Sequence, residues 1–296
     1  MAIRDLSGKK CLITGAASGI GHATAVMAAR AGAEVLLTDV DAAGLEAVVA
    51  EIGGAVGYHA PADVSHHGAV AAMAQDIHAA HGSLDVVMNI AGISTWGAIE
   101  NLEEDHWRRQ VEVNLMGPIH VLSSFVPAMI EAGRGGHVVN VSSAAGLFGL
   151  PWHAAYSAAK FGLRGVSEVL RFDLRRHGIG VTLVCPGAVN TGLVETVQIV
   201  GVDRGSPPIQ ALTRNFRKRA VTTEQAAAAI LAGVRDDRYL VFTSNDIRIL
   251  YWVQRRLVIS APRRQMGRGF ARRPRPGLGG RSMACRRSMG SRSTSM

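Results

Sequence analysis

Residues 10–39 read KCLITGAASGIGHATAVMAARAGAEVLLTD. A short apolar run, CLIT, leads into a glycine-rich stretch. An alanine-rich segment of helical period follows, then a second apolar run ending on Asp39. Strand, loop, helix, strand is one βαβ unit, with parallel strands and a right-handed crossover. Gly15, Gly19 and Gly21 lie between the strand and the mouth of the helix, with Ser18 and Ile20 among them. Glycines there permit a tight turn and let the main chain approach a pyrophosphate. The helix amino end then offers N–H groups and partial positive charge to that anion. Asp39 stands where a carboxylate can accept hydrogen bonds from ribose hydroxyls and repel a 2′-phosphate. Val40 follows it, and the glycine loop contains no Lys or Arg. Both features favour NAD over NADP as the cofactor.

The same rhythm continues outward. Apolar runs LDVVMNIAG, HVVNVSS, VTLVCPG and YLVFTS alternate with helix candidates at 42–52, 67–81, 103–132, 155–177 and 223–234. Runs that are apolar throughout fit strands covered on both faces. The expected fold class is therefore α/β, a single Rossmann-type doubly wound parallel sheet with helices on both faces. Asp63 and Val64 are placed at the end of a third strand, where an adenine ring would lie. Asn89-Ile-Ala91-Gly92 ends the fourth, with small residues where a cofactor would pass.

Composition agrees. With 48% hydrophobic residues and 34 glycines, the chain has material for a large core and is too apolar to be disordered throughout. No run of about 18 uncharged apolar residues suggests a spanning helix, and the first residues do not resemble a secretory signal. Cys11, Cys185 and Cys285 form neither a disulfide framework nor a zinc pattern, and no histidine cluster converges on Cys or carboxylate. The expectations are a reducing cytoplasm and no metal. The net charge of +9 is uneven: the segment 261–296 carries ten arginines and no acidic residue, leaving the body slightly acidic. The body is read as one domain, 1–260, and 261–296 as a disordered basic C-terminal tail. Residues 193–221, polar and containing Pro207 and Pro208, interrupt the rhythm after a strand end and are read as a substrate lid. Residues 247–259, IRILYWVQRRLVI, form an amphipathic helix that either packs on the protein or lies on a membrane surface.

Chemistry concentrates in the second half. Tyr156 and Lys160 share one helix face. A free phenol has a pKa of about 10, and a nearby ammonium together with a positive nicotinamide ring would lower it. Ser143, at a Ser-rich strand end, can hydrogen-bond a substrate oxygen, which leaves Ser142 a structural role. Asn114 lies inside a helix candidate where asparagine is a poor former, so it marks a held water or a local helix distortion. His153 lies close enough to Tyr156 in sequence to line a cleft, and Trp96, Leu147, Phe148 and Trp152 supply apolar walls.

Taken in order, TGAASGIG at 14–21, the 89–92 segment, Asn114, Ser143, Tyr156-x-x-x-Lys160 and Pro186-Gly187 resemble the short-chain dehydrogenase/reductase family over about residues 7–245. The resemblance implies a seven-stranded Rossmann domain, usually a homodimer or homotetramer. It implies Tyr156 as general acid/base, Lys160 on the nicotinamide ribose, Ser143 polarising the substrate and Asn114 anchoring a relay water. Pro186, Gly187, Val189 and Thr191 would contact the nicotinamide. Gly15, Ser18, Ile20, Asp39, Asp63, Val64 and Asn89 would line the rest of the cofactor. Two departures stand out: Ile90 replaces the family's usual second Asn, and the Arg-rich end has no family counterpart. The expected activity is hydride transfer between NAD(H) and a secondary alcohol or ketone of lipophilic character. The rival reading is a dinucleotide-binding regulator whose basic tail contacts nucleic acid or membrane.

Overall fold

A computed structural model describes residues 3–192, 197–203 and 205–257. The chain divides into two units, Met1–Val253 and Gln254–Met296. In the second unit only 254–257 are described, as helix. The 261–296 tail and residues 193–196 of the expected lid lie outside the described residues.

The strands are β1 Lys10–Thr14, β2 Glu34–Asp39, β3 Val56–Pro61, β4 Val86–Asn89, β5 Thr95–Gly97, β6 Gly136–Val141, β7 Ile179–Cys185, β8 Gln198–Val200 and β9 Leu240–Phe242. Seven of them form a sheet in the order β3-β2-β1-β4-β6-β7-β9, and every adjacent pair is parallel. The helices are α1 Gly19–Arg30, α2 Ala42–Ile52, α3 His67–His81, α4 Glu104–Val111, α5 Gly117–Ala132, α6 Ala154–Asp173, α7 Pro207–Arg219, α8 Thr223–Arg235 and α9 Asn245–Leu257. Strand order reverses direction between β1 and β4. In open α/β sheets the crevice at the carboxyl ends of strands flanking such a point is where ligands bind.

Continuous apolar strands feed two cores because alternate side chains point to opposite faces. Leu12, Leu36, Val87 and Val138 join Val121 and Phe125 of α5 in one layer. Their chain neighbours Ile13, Leu37, Met88 and Val139 join Ala25 and Ala28 of α1 and Ile230 of α8 in the other. Phe125 has no exposed surface, and its truncation to Ala would cost about 3–5 kcal/mol. The edge strand β3 differs, with alternate residues exposed. It ends at Pro61, so Asp63 and Val64 belong to the loop beyond it.

One further expectation is revised. The single helix at 103–132 is two helices, α4 and α5, joined by a π-helical turn at Glu112–Met116. Its length and hydropathy would suffice to cross a bilayer, but Val121, Phe125 and Met129 bury its inner face against the sheet. Residues 197–203 and 205–219 of the expected lid contain β8, which pairs with β5, and α7. Val197, Ile199 and Ile209 there pack with Trp96 and Trp152 as a small apolar cluster of their own.

Candidate active site

The glycine loop is shaped by close approaches that no side chain could share. Gly15 has φ +71°, and a Cβ on it would come within 2.7 Å of Ala91 Cα. A Cβ on Gly21 would come within 1.9 Å of the Gly15 carbonyl, so α1 begins directly on the loop. Gly19, at φ +57°, faces the Thr191 methyl, with 3.3 Å between that group and a Cβ position. The first turn of α1 has no acidic residue, and the Ser18 side chain makes no capping bond. Its amino end therefore presents unneutralised positive charge to the crevice. Thr14 locks the loop to β4: its Oγ1 accepts from Ile90 N–H and Ala91 N–H at 3.0 and 3.1 Å. Sequence reasoning passed over Thr14, although its place at the head of the glycine stretch marks it.

Asp39 closes the far side of this cradle. Its Oδ2 accepts from Ala17 N–H in the loop at 3.0 Å, and its Oδ1 from Asp41 N–H at 3.1 Å. Asp63 accepts from both the amide and the hydroxyl of Ser65, at 2.9 and 2.7 Å. Partial burial raises its pKa, but those two bonds, aided by His66 and Arg109, outweigh burial and hold it below the ordinary value. Val64 turns its side chain into the core against Gly117. Ile20 is likewise packed on the α1 core layer.

Asn89 is the last residue of β4. Only 2% exposed, it donates to Asn140 Oδ1 at 2.9 Å, and Asn140 in turn donates to Ser167 of α6. Its Nδ2 is thus engaged between the sheet and α6, while its Oδ1 has no hydrogen-bond partner among the described residues.

The β7 end completes the cofactor cleft. The Pro186 carbonyl accepts from Ala144 N–H at 2.7 Å, and Gly187 packs against Ile247. Val189 is bridged to Val221, which carries Thr191 back to Gly19.

At the ends of β4 and β6 the expected catalytic residues converge. Asn114 occupies the π-helical turn and pairs reciprocally with Ile93: its Oδ1 accepts from Ile93 N–H at 3.1 Å, and its Nδ2 donates to the Ile93 carbonyl at 2.9 Å. The local helix distortion expected at this asparagine is present. The Gln110 amide bridges Asn114 and Thr95 at 2.8 and 3.0 Å. A Cβ on Gly92 would lie 2.8 Å from Asn114 Oδ1 and 3.5 Å from Lys160 Nζ, so both groups border the same small gap. Ser142 Oγ donates to the Lys160 carbonyl at 2.9 Å and ties β6 to α6. Ser143 caps the turn after β6, its Oγ accepting from Ala145 N–H at 3.1 Å.

Burial dominates the electrostatics. Lys160 is 4% exposed, and desolvation brings its pKa down to about 8. Tyr156, half-buried as a residue, is pushed up to about 12 by desolvation, with the Ser143 hydrogen bond pulling the other way and Cys185 adding to the rise. The expected lowering of Tyr156 by Lys160 is therefore not a property of the chain alone. The ammonium lies 5.7 Å from the ring centroid, and burial of the phenol sets the direction of the shift.

The walls also need revision. Leu147 and Phe148 are buried in a cluster with Cys185 and Tyr251. Trp96 instead stacks on His153, with ring centroids 4.6 Å apart, and His153 lies 6.2 Å from the Tyr156 ring. Trp152 adopts φ +65°, a left-handed conformation rare for a bulky residue and usually found where surroundings impose it. Among the described residues, no group of three His, Cys, Asp or Glu side chains could hold a metal.

A parallel sheet with a glycine-lined crevice at its switch point thus stands beside a Ser–Tyr–Lys cluster. The comparisons give the family. Residues 9–199 match the short chain dehydrogenase model, and the chain belongs to that family. It is 34% identical over 249 residues to the probable oxidoreductase EphD of Mycobacterium tuberculosis, covering 82% of this chain but only 42% of that longer protein. It is 34% identical over 227 residues to the 2,5-dichloro-2,5-cyclohexadiene-1,4-diol dehydrogenase of Sphingobium indicum, covering 76% of this chain and 90% of the relative. The crystal structure of a short chain dehydrogenase/reductase from Burkholderia phymatum in complex with NAD superposes with TM-score 0.77 at 27% identity, covering 87% of this chain and 98% of the other.

Proposed function

We propose that the chain is an NAD-dependent dehydrogenase that interconverts a lipophilic secondary alcohol and its ketone, with Tyr156 as general acid/base. The convergence of Ser143, Tyr156, Lys160 and Asn114 beside the glycine loop carries this reading. The nicotinamide accepts or supplies the hydride, and the protein aligns the reacting carbon and moves the proton. In oxidation, Ser143 Oγ holds the substrate hydroxyl while Tyr156 Oη takes its proton. Lys160 favours the phenolate and hands the released proton on toward solvent through a water anchored at Asn114. In reduction the same groups act in reverse.

Asp39 supports the preference for NAD, since its carboxylate accepts from Ala17 N–H and so lies beside the glycine loop. The partly exposed Trp96 and Trp152, packed on the buried Ile199 and Ile209, support a lipophilic substrate. The free, buried thiols of Cys11 and Cys185 suit a reducing compartment such as the cytoplasm. Phe161, Val169 and Phe172 lie exposed along α6, and this face supports a homodimer or homotetramer. The test is a screen of NAD⁺ reduction across steroid, polyol, sugar and aliphatic alcohols. Turnover with a steroid or long-chain alcohol is expected, and activity confined to sugars and polyols would remove the lipophilic assignment.

A further inference from the structure

Helix α9 carries apolar side chains on two opposite faces. Ile247 and Tyr251, one turn apart, face the protein: Tyr251 is buried with its ring 5.5 Å from that of Phe242, and Ile247 lies against Gly187. On the other side Ile249, Leu250, Trp252 and Val253 are 63%, 48%, 55% and 43% exposed. At 100° per residue these four fan across the arc opposite Ile247 and Tyr251. Exposed Arg248 borders the arc beside Trp252, and Asp246 lies at its amino end. From Arg255 onward the sequence holds twelve arginines and no acidic residue.

We propose that this outer face of α9 docks on a bilayer containing anionic lipid. The chemistry favours that occupant over two others. Nucleic acid would satisfy the arginines but leave Ile249, Leu250 and Val253 without an apolar partner. A second copy that met this arc with its own α9 would bring two strongly cationic chain ends together. An anionic interface meets both demands. Aliphatic side chains enter the acyl boundary, Trp252 sits at headgroup level, and guanidinium groups meet lipid phosphates. Docking needs neither coenzyme nor substrate, so it stands apart from the dehydrogenase reading.

The test is flotation of the full-length protein with phosphatidylcholine vesicles, with and without phosphatidylglycerol, at near-physiological salt. The wild type is expected to float only with the phosphatidylglycerol vesicles. A double variant, Ile249→Glu with Trp252→Glu, should lose about tenfold or more in partitioning, because two large apolar side chains no longer leave water. Its NADH binding, which reports an intact fold, should be unchanged. Absence of flotation by the wild type overturns the proposal, as does flotation of the double variant equal to wild type, which would assign membrane binding to the arginines alone. Conversion of the double variant to a smaller species in sedimentation also overturns it, because a second copy would then be the occupant.

Discussion

The Lys160 ammonium donates to the Val141 carbonyl at 3.0 Å, pinning α6 to the last residue of β6. The bond holds the lysine inside the protein at a cost in charge solvation. Its folded pKa of about 8 lies below the ordinary 10.5. The folded state thus binds fewer protons than the unfolded state between those values, and stability rises with pH across that window. Below pH 8 the full penalty applies, on the order of 3 kcal/mol. Lys160→Met removes it but leaves the Val141 carbonyl unpaired, at about 1–3 kcal/mol. The variant should match or exceed wild-type stability at pH 7 while turnover is lost, and its advantage should fall toward pH 10. Urea midpoints at both pH values check this. A variant clearly weaker at pH 7, by a margin indifferent to pH, would contradict the charge-burial argument.

Tyr156 offers a complementary test. With its phenol pushed up to about 12 in the chain alone, it should remain protonated through pH 10 in ultraviolet titration of the coenzyme-free protein. The pH profile of alcohol oxidation should instead rise at much lower pH, because the oxidised nicotinamide brings positive charge to the site. Tyr156→Phe should retain NADH binding and lose turnover by about 10²-fold or more. Unchanged turnover would remove Tyr156 from the mechanism.

The sheet was legible in sequence where strands are buried on both faces, as in β1, β4 and β6, because uninterrupted apolar runs announce such strands. The three-residue partners β5 and β8 were not, since so short a ladder leaves no period to detect. Asn114 signalled its distorted helix because asparagine is a poor helix former. Leu147 and Phe148 misled, because apolar character marks a cavity wall and a filled core alike. The pKa relation between Tyr156 and Lys160 also escaped, since spacing on a helix reveals proximity but not how much water each group loses.

His137 is a titrating group that no motif marks. It is wholly buried at the start of β6, its Nε2 lies 2.8 Å from Thr182 Oγ1, and its Nδ1 has no hydrogen-bond partner. The Thr182 hydroxyl donates to the Arg238 carbonyl, so it accepts from Nε2–H, and Nδ1 is the atom that would gain the extra proton. Burial brings the pKa down to about 4, with Asp237 opposing the shift. The unfolded chain therefore binds the extra proton between about pH 6.5 and 4, and stability falls as pH drops through that window, by up to roughly 3 kcal/mol. His137→Gln keeps a donor for Thr182 and should lose less stability over the same range. Parallel acid dependence of the two proteins, followed by thermal or urea denaturation, would rule this out.

Asp39 sets the coenzyme prediction. Its two oxygens are already engaged by Ala17 N–H and Asp41 N–H, which fixes the carboxylate at the loop rather than leaving it free to swing away. A 2′-phosphate arriving there would meet a fixed negative charge with no Lys or Arg in the glycine loop to offset it, whereas a ribose hydroxyl finds an acceptor. Wild-type protein should bind NADH more tightly than NADPH. Asp39→Ala should narrow the difference by about tenfold or more, as expected for removing one close like-charge contact. Fluorescence titration of both coenzymes against both proteins measures the gap. Tighter NADPH binding by the wild type would show that the carboxylate does not select, and an unchanged gap in Asp39→Ala would move the selection to another residue.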